Sequence, residues 1–186
     1  MKITIGILSN RGVKLKTVES LMRMVAHSKD LEIEVATASK GYTIAENRSY
    51  LAGQALGNGS HYLLMVDDDM VFPPDTLQKM LATGKQIVGV LSYSRKLPLK
   101  PTLVPMEEIK ETLFECKEVG GGVLLIDTTI FNVMPQPWFD FKTFPFGQIS
   151  QGEDGFFCAK SREMGYTIWC DPTIKIGHIG GFTYGE

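Results

Sequence analysis

Two hydrophobic periods alternate along this chain. Residues 2–8 read as a buried strand, and 14–28 carry Leu15, Val18, Leu21, Met22 and Val25 at helical spacing. A second strand is expected at 31–37, then a helix over 43–56 closed by Gly57 and Gly59, then an apolar run at 61–66. This strand, helix, strand, helix, strand order argues for an α/β fold, a parallel sheet with helices on both faces. Another helix is predicted over 75–83, behind Pro73 and Pro74 and ended by Gly84, and a strand at 86–90. The regular pattern then breaks. Pro98, Pro101 and Pro105 indicate extended segments, with an edge hairpin near 112–116. A strongly apolar segment at 119–127 leads into a short helix at 128–133, and 135–152 reads as an irregular loop. A helix over 153–164, with Phe156, Phe157, Lys160 and Met164 on its apolar side, and strands at 167–170 and 173–178 complete the pattern.

At 186 residues with 44% hydrophobic content, the chain fits one domain with a substantial core. A net charge of −2 and the lack of a basic stripe argue against nucleic acid as a partner. The N-terminus lacks the apolar region of a signal peptide, and no run is long enough for a membrane-spanning helix. Cys116, Cys158 and Cys170 are odd in number and widely spaced, which suits reduced buried thiols rather than a disulfide framework or zinc site. His27, His61 and His178 show no local pairing with any of them, so a cysteine nucleophile has no evident base. A cytoplasmic location is the expectation.

Chemistry concentrates at Asp67, Asp68 and Asp69, directly after the apolar run. In an extended chain Asp67 and Asp69 would share a face and Asp68 the other. Two carboxylates so placed suit Mg²⁺ or Mn²⁺, whose shell is completed by water and substrate phosphate; an acidic turn before the next helix is the plainer alternative. Asn47 and Arg48 interrupt the apolar stripe of Ile44, Leu51 and Ala55. A buried guanidinium needs an anion, and either a bound phosphate or one of the aspartates would serve. Gly120, Gly121 and Gly122 leave room for something to approach the backbone, a sugar or phosphate, or else mark a bulge or tight turn. Glu153 and Asp154 fall in the first turn of a helix, where one carboxylate can cap and the other act as a general base. His178 alternates with Ile174 and Ile176, as a part-buried residue or a further metal ligand.

Glu46 to Arg48, the segment from Leu63 through the three aspartates to Leu77, Gly120 to Asp127, Gly152 to Asp154 and the terminal His178 follow one another in a familiar order. Together they resemble the nucleotide-sugar glycosyltransferases of the GT-A fold, in particular small bacterial and phage-type proteins related to family 2. The resemblance implies a single-domain GT-A (Rossmann-like) architecture with a mixed, mostly parallel sheet. Residues 1–91 would form the nucleotide-binding half and 92–186 the acceptor-side half. It implies transfer of a sugar from a UDP- or GDP-sugar to an acceptor hydroxyl with Mn²⁺ or Mg²⁺, in an inverting reaction. Asp67 and Asp69 match the two acidic positions of the Asp-any-Asp motif, Asp67 at the ribose or metal and Asp69 on the metal, with His178 completing the metal shell. Ser9, Asn10, Arg11 and Ser39 match the nucleoside site, and Asn47, Arg48, Asp68, Gly121 and Gly122 are assigned to the donor with them. Asp154 matches the acceptor-side base, with Glu153 beside it. Trp138 and the loop 139–150 are an acceptor platform and lid, or aromatic core. The alternatives are a metal-dependent nucleotidyltransferase, for which the segment 7–13 is a poor signature, and a non-catalytic sugar-nucleotide-binding module.

Overall fold

A computed structural model describes residues 1–9, 12–38, 43–94, 98–180 and 183–184. The first half runs β1 (Lys2–Leu8), α1 (Leu15–His27), β2 (Glu32–Ala38), α2 (Ile44–Gly57), β3 (Tyr62–Asp67), β4 (Met70–Val71), α3 (Thr76–Ala82) and β5 (Ile87–Val90). The second half runs β6 (Leu103–Pro105), β7 (Phe114–Val119), β8 (Val123–Asp127), α4 (Thr129–Val133), β9 (Lys142–Thr143), β10 (Ile149–Gln151), α5 (Glu153–Glu163), β11 (Ile168–Asp171), β12 (Gly177–Ile179) and β13 (Thr183–Tyr184).

Eight strands form one sheet in the order β2-β1-β3-β8-β5-β11-β7-β6. β1 is parallel to β2 and β3, and β5 to β11; β8 is antiparallel to β3 and β5, and β7 to β11 and β6. Six strands therefore point one way and two the other, a mixed and mostly parallel sheet. Its central strands are apolar on both faces, as strands covered by helices on each side must be. Leu63 and Met65 of β3 and Leu124 and Ile126 of β8 belong to one core, beneath Leu51 and Ala55 of α2 and Phe157 of α5. Leu64, Val66, Val123 and Leu125 alternate into a second core, against Leu21 and Met24 of α1 and Leu77 and Met80 of α3.

Several local expectations need correction. α1 buries Thr17, Ser20, Leu21 and Met24, leaving Leu15, Met22 and Val25 exposed. The reason is polar: Thr17 Oγ1 donates to the carbonyl of Asp68, and Ser20 Oγ accepts from the amide of Phe72, so the loop beneath the helix selects hydroxyls. On α5 the buried face is Gly155, Phe157, Cys158 and Ser161, while Met164 is exposed. The loop 135–152 includes a small antiparallel hairpin of β9 and β10. Residues 173–176 are not strand, because Asp171 Oδ1 accepts from both the amide and the hydroxyl of Thr173 and turns the chain after β11. Trp138 takes the aromatic-core alternative: it is buried, donates to the carbonyl of Met134 and packs on Phe131 at 5.1 Å, while Phe139 stacks on Phe157 at 4.6 Å. All three cysteines are free and buried. Among the described residues no helix is long and apolar enough to cross a membrane.

Candidate active site

The carboxyl ends of β1 and β3 lie side by side, with Leu8 in register with Asp67. Ligands of open α/β sheets collect beyond such ends, and here a cleft of about 470 Å³ opens there, lined by Leu8, Ser9, Gly12, Lys14, Ile44, Asn47, Asp67, Asp68, Asp69 and His178. Ser9 Oγ accepts from the amide of Gly12. Asn10, Arg11 and Ser39 lie outside the described residues.

All three aspartates face the cleft, but not by strand alternation. β3 ends at Asp67, and Asp68 and Asp69 form a turn before β4. The carbonyl of Asp68 accepts from Lys14 N and Thr17 Oγ1, which ties the turn to the start of α1. β4 then pairs with β12, setting Met70 opposite His178, and the amide of Ile179 donates to the carbonyl of Asp69 at 2.7 Å. His178 Nε2 consequently stands 3.2 Å from Asp69 Oδ1. Its Nδ1 lies 3.1 Å from the carbonyl of Tyr93, which can only accept, so Nδ1 carries a proton. In that tautomer the Nε2 lone pair is on the side of the Asp69 carboxylate, an arrangement suited to a cation shared by the two. Among the described residues there is no close cluster of three His, Cys, Asp or Glu able to hold a metal by itself. The donor set fits a divalent ion that takes a carboxylate and an imidazole from the protein and draws its other oxygens from phosphate and water.

Arg48 meets carboxylates. It is 1% exposed, with Nη2 donating to Asp67 Oδ1, Nε to Glu153 Oε1 and Nη1 to the carbonyl of Gly121, each at 3.1 Å. Burial alone would lower its pKa, but Asp67, Glu153 and Asp154 outweigh burial and hold it above the ordinary value. Burial pushes the Asp67 carboxyl above the usual carboxylate range; Arg48 opposes this and the neighbouring carboxylates add to it. Asn47, also buried, borders the cleft from the same turn of α2. That turn begins in a capping box, with Thr43 Oγ1 accepting from the amide of Glu46 and the Glu46 carboxylate accepting from the amide of Thr43.

What approaches the glycine run is the protein itself. A Cβ on Gly121 would sit 2.6 Å from Arg48 Cζ, and one on Gly122 would press on Met70 Sδ at 3.2 Å with Asp67 Oδ2 at 3.7 Å. Gly122 also accepts the amide of Asp67 through its carbonyl. The Gly121 amide donates to Asp154 Oδ2 at 3.1 Å, and Asp154 Oδ1 accepts from Gly155 N. Glu153 is buried against Arg48, so the two adjacent carboxylates have different surroundings. Asp154 borders a second cleft of about 310 Å³ with Thr102, Val104 and Glu118. Sequence reasoning missed Lys14, although it follows β1 in the same loop as the nominated Ser9. It also missed the Tyr93 carbonyl, which carries no sequence signal.

No protein-family model matches the chain, and no curated protein matches it. Solved structures do. A197 from STIV superposes over 97% of this chain and 86% of its own, with a TM-score of 0.69 and 18% identity. GalNAc-T7, crystallised with UDP, GalNAc and Mn²⁺, matches over 97% of this chain with a TM-score of 0.58 and 12% identity. S. aureus TarS residues 1–349, in complex with UDP-GlcNAc, matches over 92% with a TM-score of 0.56 and 14% identity. The chain spans 44% and 56% of the latter two. GalNAc-T7 and TarS are glycosyltransferases, and A197 is a viral protein of the same likeness. The fold of this chain is therefore GT-A-like.

Proposed function

We propose that the protein is a metal-dependent glycosyltransferase that moves a sugar from a nucleoside-diphosphate sugar to an acceptor hydroxyl. The observation that carries this reading is the cleft at the ends of β1 and β3. It gathers Asp67, Asp68, Asp69 and His178 with Ser9, Lys14 and Asn47; Asp154 borders the separate, smaller cleft and accepts from the Gly121 amide. GalNAc-T7 holds UDP, GalNAc and Mn²⁺, and TarS holds UDP-GlcNAc, on a similar fold.

Asp69 and His178 would hold Mn²⁺ or Mg²⁺, with Asp67 directed to the ribose or to the same ion. The ion, when bound, offsets the charge that builds on the departing diphosphate. Ser9, Asn47 and Asp68 would border the donor, Asn10, Arg11 and Ser39 are assigned to it by the resemblance alone, and Lys14 is a cation available to a phosphate oxygen. Asp154 accepts the proton of the acceptor hydroxyl as its oxygen bonds to the anomeric carbon. The bond from that carbon to the diphosphate breaks, and its electron pair leaves with the nucleotide. With attack and departure on opposite faces the transfer inverts. Both Asp154 oxygens already accept one backbone amide, which fixes the carboxylate while leaving lone pairs for a hydroxyl. Residues 1–91 supply most of the donor site and 92–186 the acceptor side.

Turnover tests this. UDP- and GDP-sugars are incubated with Mn²⁺ and a panel of hydroxyl acceptors, and nucleotide release is followed. Asp154→Asn is expected to lose about 10²-fold or more in transfer while retaining nucleotide affinity. Full activity in that variant would remove the base assignment. Binding without transfer or hydrolysis would leave the binding-module alternative.

A further inference from the structure

We infer that Arg48 is a positioning residue that fixes the donor-side carboxylate Asp67 against the acceptor-side carboxylate Asp154. The inference rests on the transfer reading above. Arg48 is buried and does not border the donor cleft, so it acts through what it holds. Its planar fork makes three divergent hydrogen bonds, to Asp67 of β3, Glu153 of α5 and the Gly121 carbonyl between β7 and β8. Gly121 passes the constraint on, because its amide donates to Asp154 Oδ2. Glu153 adds a second route, being the residue before Asp154 in the same helical turn. Three segments far apart in sequence thus converge on one guanidinium.

A buried ion cluster is a poor device for stability alone, since apolar packing of similar volume does as well. What a guanidinium adds is direction: five donors in a rigid plane, which a lysine ammonium cannot reproduce. The glycine at position 121 belongs to the same device, because any Cβ there would displace the guanidinium. In a displacement reaction the metal-side and base-side groups must address one anomeric carbon from opposite directions. Misplacement by about 1 Å can cost on the order of 10²-fold in rate.

The test compares Arg48→Lys and Gly121→Ala with wild type, using a UDP- or GDP-sugar that wild type turns over. Folded fraction is measured by near-UV circular dichroism. Each variant is expected to lose about 10²-fold in kcat per folded molecule, with a much smaller change in donor KM. In an Asp154→Asn background Arg48→Lys is expected to add little, since the geometry it maintains is no longer used. Three results would overturn the inference: an unchanged kcat per folded molecule in both variants, a KM effect that exceeds the kcat effect, or losses that multiply in the double variant. Absence of any transfer or donor hydrolysis in wild type would instead bring down the transferase reading, and this inference with it.

Discussion

His178 Nε2 lies 3.2 Å from Asp69 Oδ1 because β12 pairs with β4 rather than joining the central sheet. The small β4–β12–β13 sheet carries the C-terminal histidine back over the aspartate turn and joins two distant parts of the chain into one wall of the cleft. Asp69→Ala and His178→Ala should each weaken nucleotide binding by at least about tenfold in Mn²⁺, with little change in its absence. Calorimetric titration of nucleoside diphosphates in the two conditions measures this; equal losses with and without the metal would take both residues out of the metal site.

Removing the guanidinium should be costly to the fold as well as to chemistry. Arg48→Met leaves Asp67 and Glu153 without their common cation, and breaking a buried pair costs about 3–5 kcal/mol. Guanidinium chloride unfolding of the two proteins reads the difference. A loss under about 1 kcal/mol would show that water or another cation satisfies the carboxylates.

The start of α2 sets where Asn47 and Arg48 stand. Thr43→Ala removes both its hydroxyl contacts with Glu46 and should cost about 1 kcal/mol, as loss of an N-cap does. Thermal melting checks it. An unchanged melting temperature would mean that tertiary packing alone holds the helix start.

Burial pushes the Cys116 thiol up to about 12, and the Cys158 and Cys170 thiols are raised for the same reason. A raised folded-state pKa means that above the unfolded value of about 8.5 the unfolded chain releases protons that the folded one keeps. Stability from these thiols is thus complete below about pH 8.5 and is lost as pH rises toward the folded values. Cys116→Ala should lose stability less steeply than wild type between about pH 9 and 11, with a slope smaller by up to about 1.4 kcal/mol per pH unit. Urea midpoints across that range test it, and identical slopes would show that Cys116 titrates normally.

The sequence was informative wherever long apolar runs or helical spacing spoke for themselves. β1 falls on the expected residues, and the helices at 44–57 and 153–163 differ from expectation by a residue or so. Asn47 and Arg48 stand out as polar residues on an apolar stripe, and both are buried. What was not legible depended on partners distant in sequence. A two-residue strand such as β4 has no periodicity of its own, yet it decides where Asp69 points. The buried face of α1 does not follow its apolar spacing, because Thr17 and Ser20 are selected by the backbone of the aspartate turn and the segment after it. The glycine run correctly signalled a close approach, but only the fold shows that at Gly121 the approaching group is Arg48.

On the proposed reading the aspartate cleft binds a nucleotide through a divalent cation. Calorimetry of UDP, GDP and their sugars, each with and without Mn²⁺, tests it most directly. Saturable binding of one nucleotide class is expected, strengthening at least about tenfold when the metal is present. Failure of every nucleotide to bind in either condition would contradict it and return Asp67, Asp68 and Asp69 to the role of a structural turn.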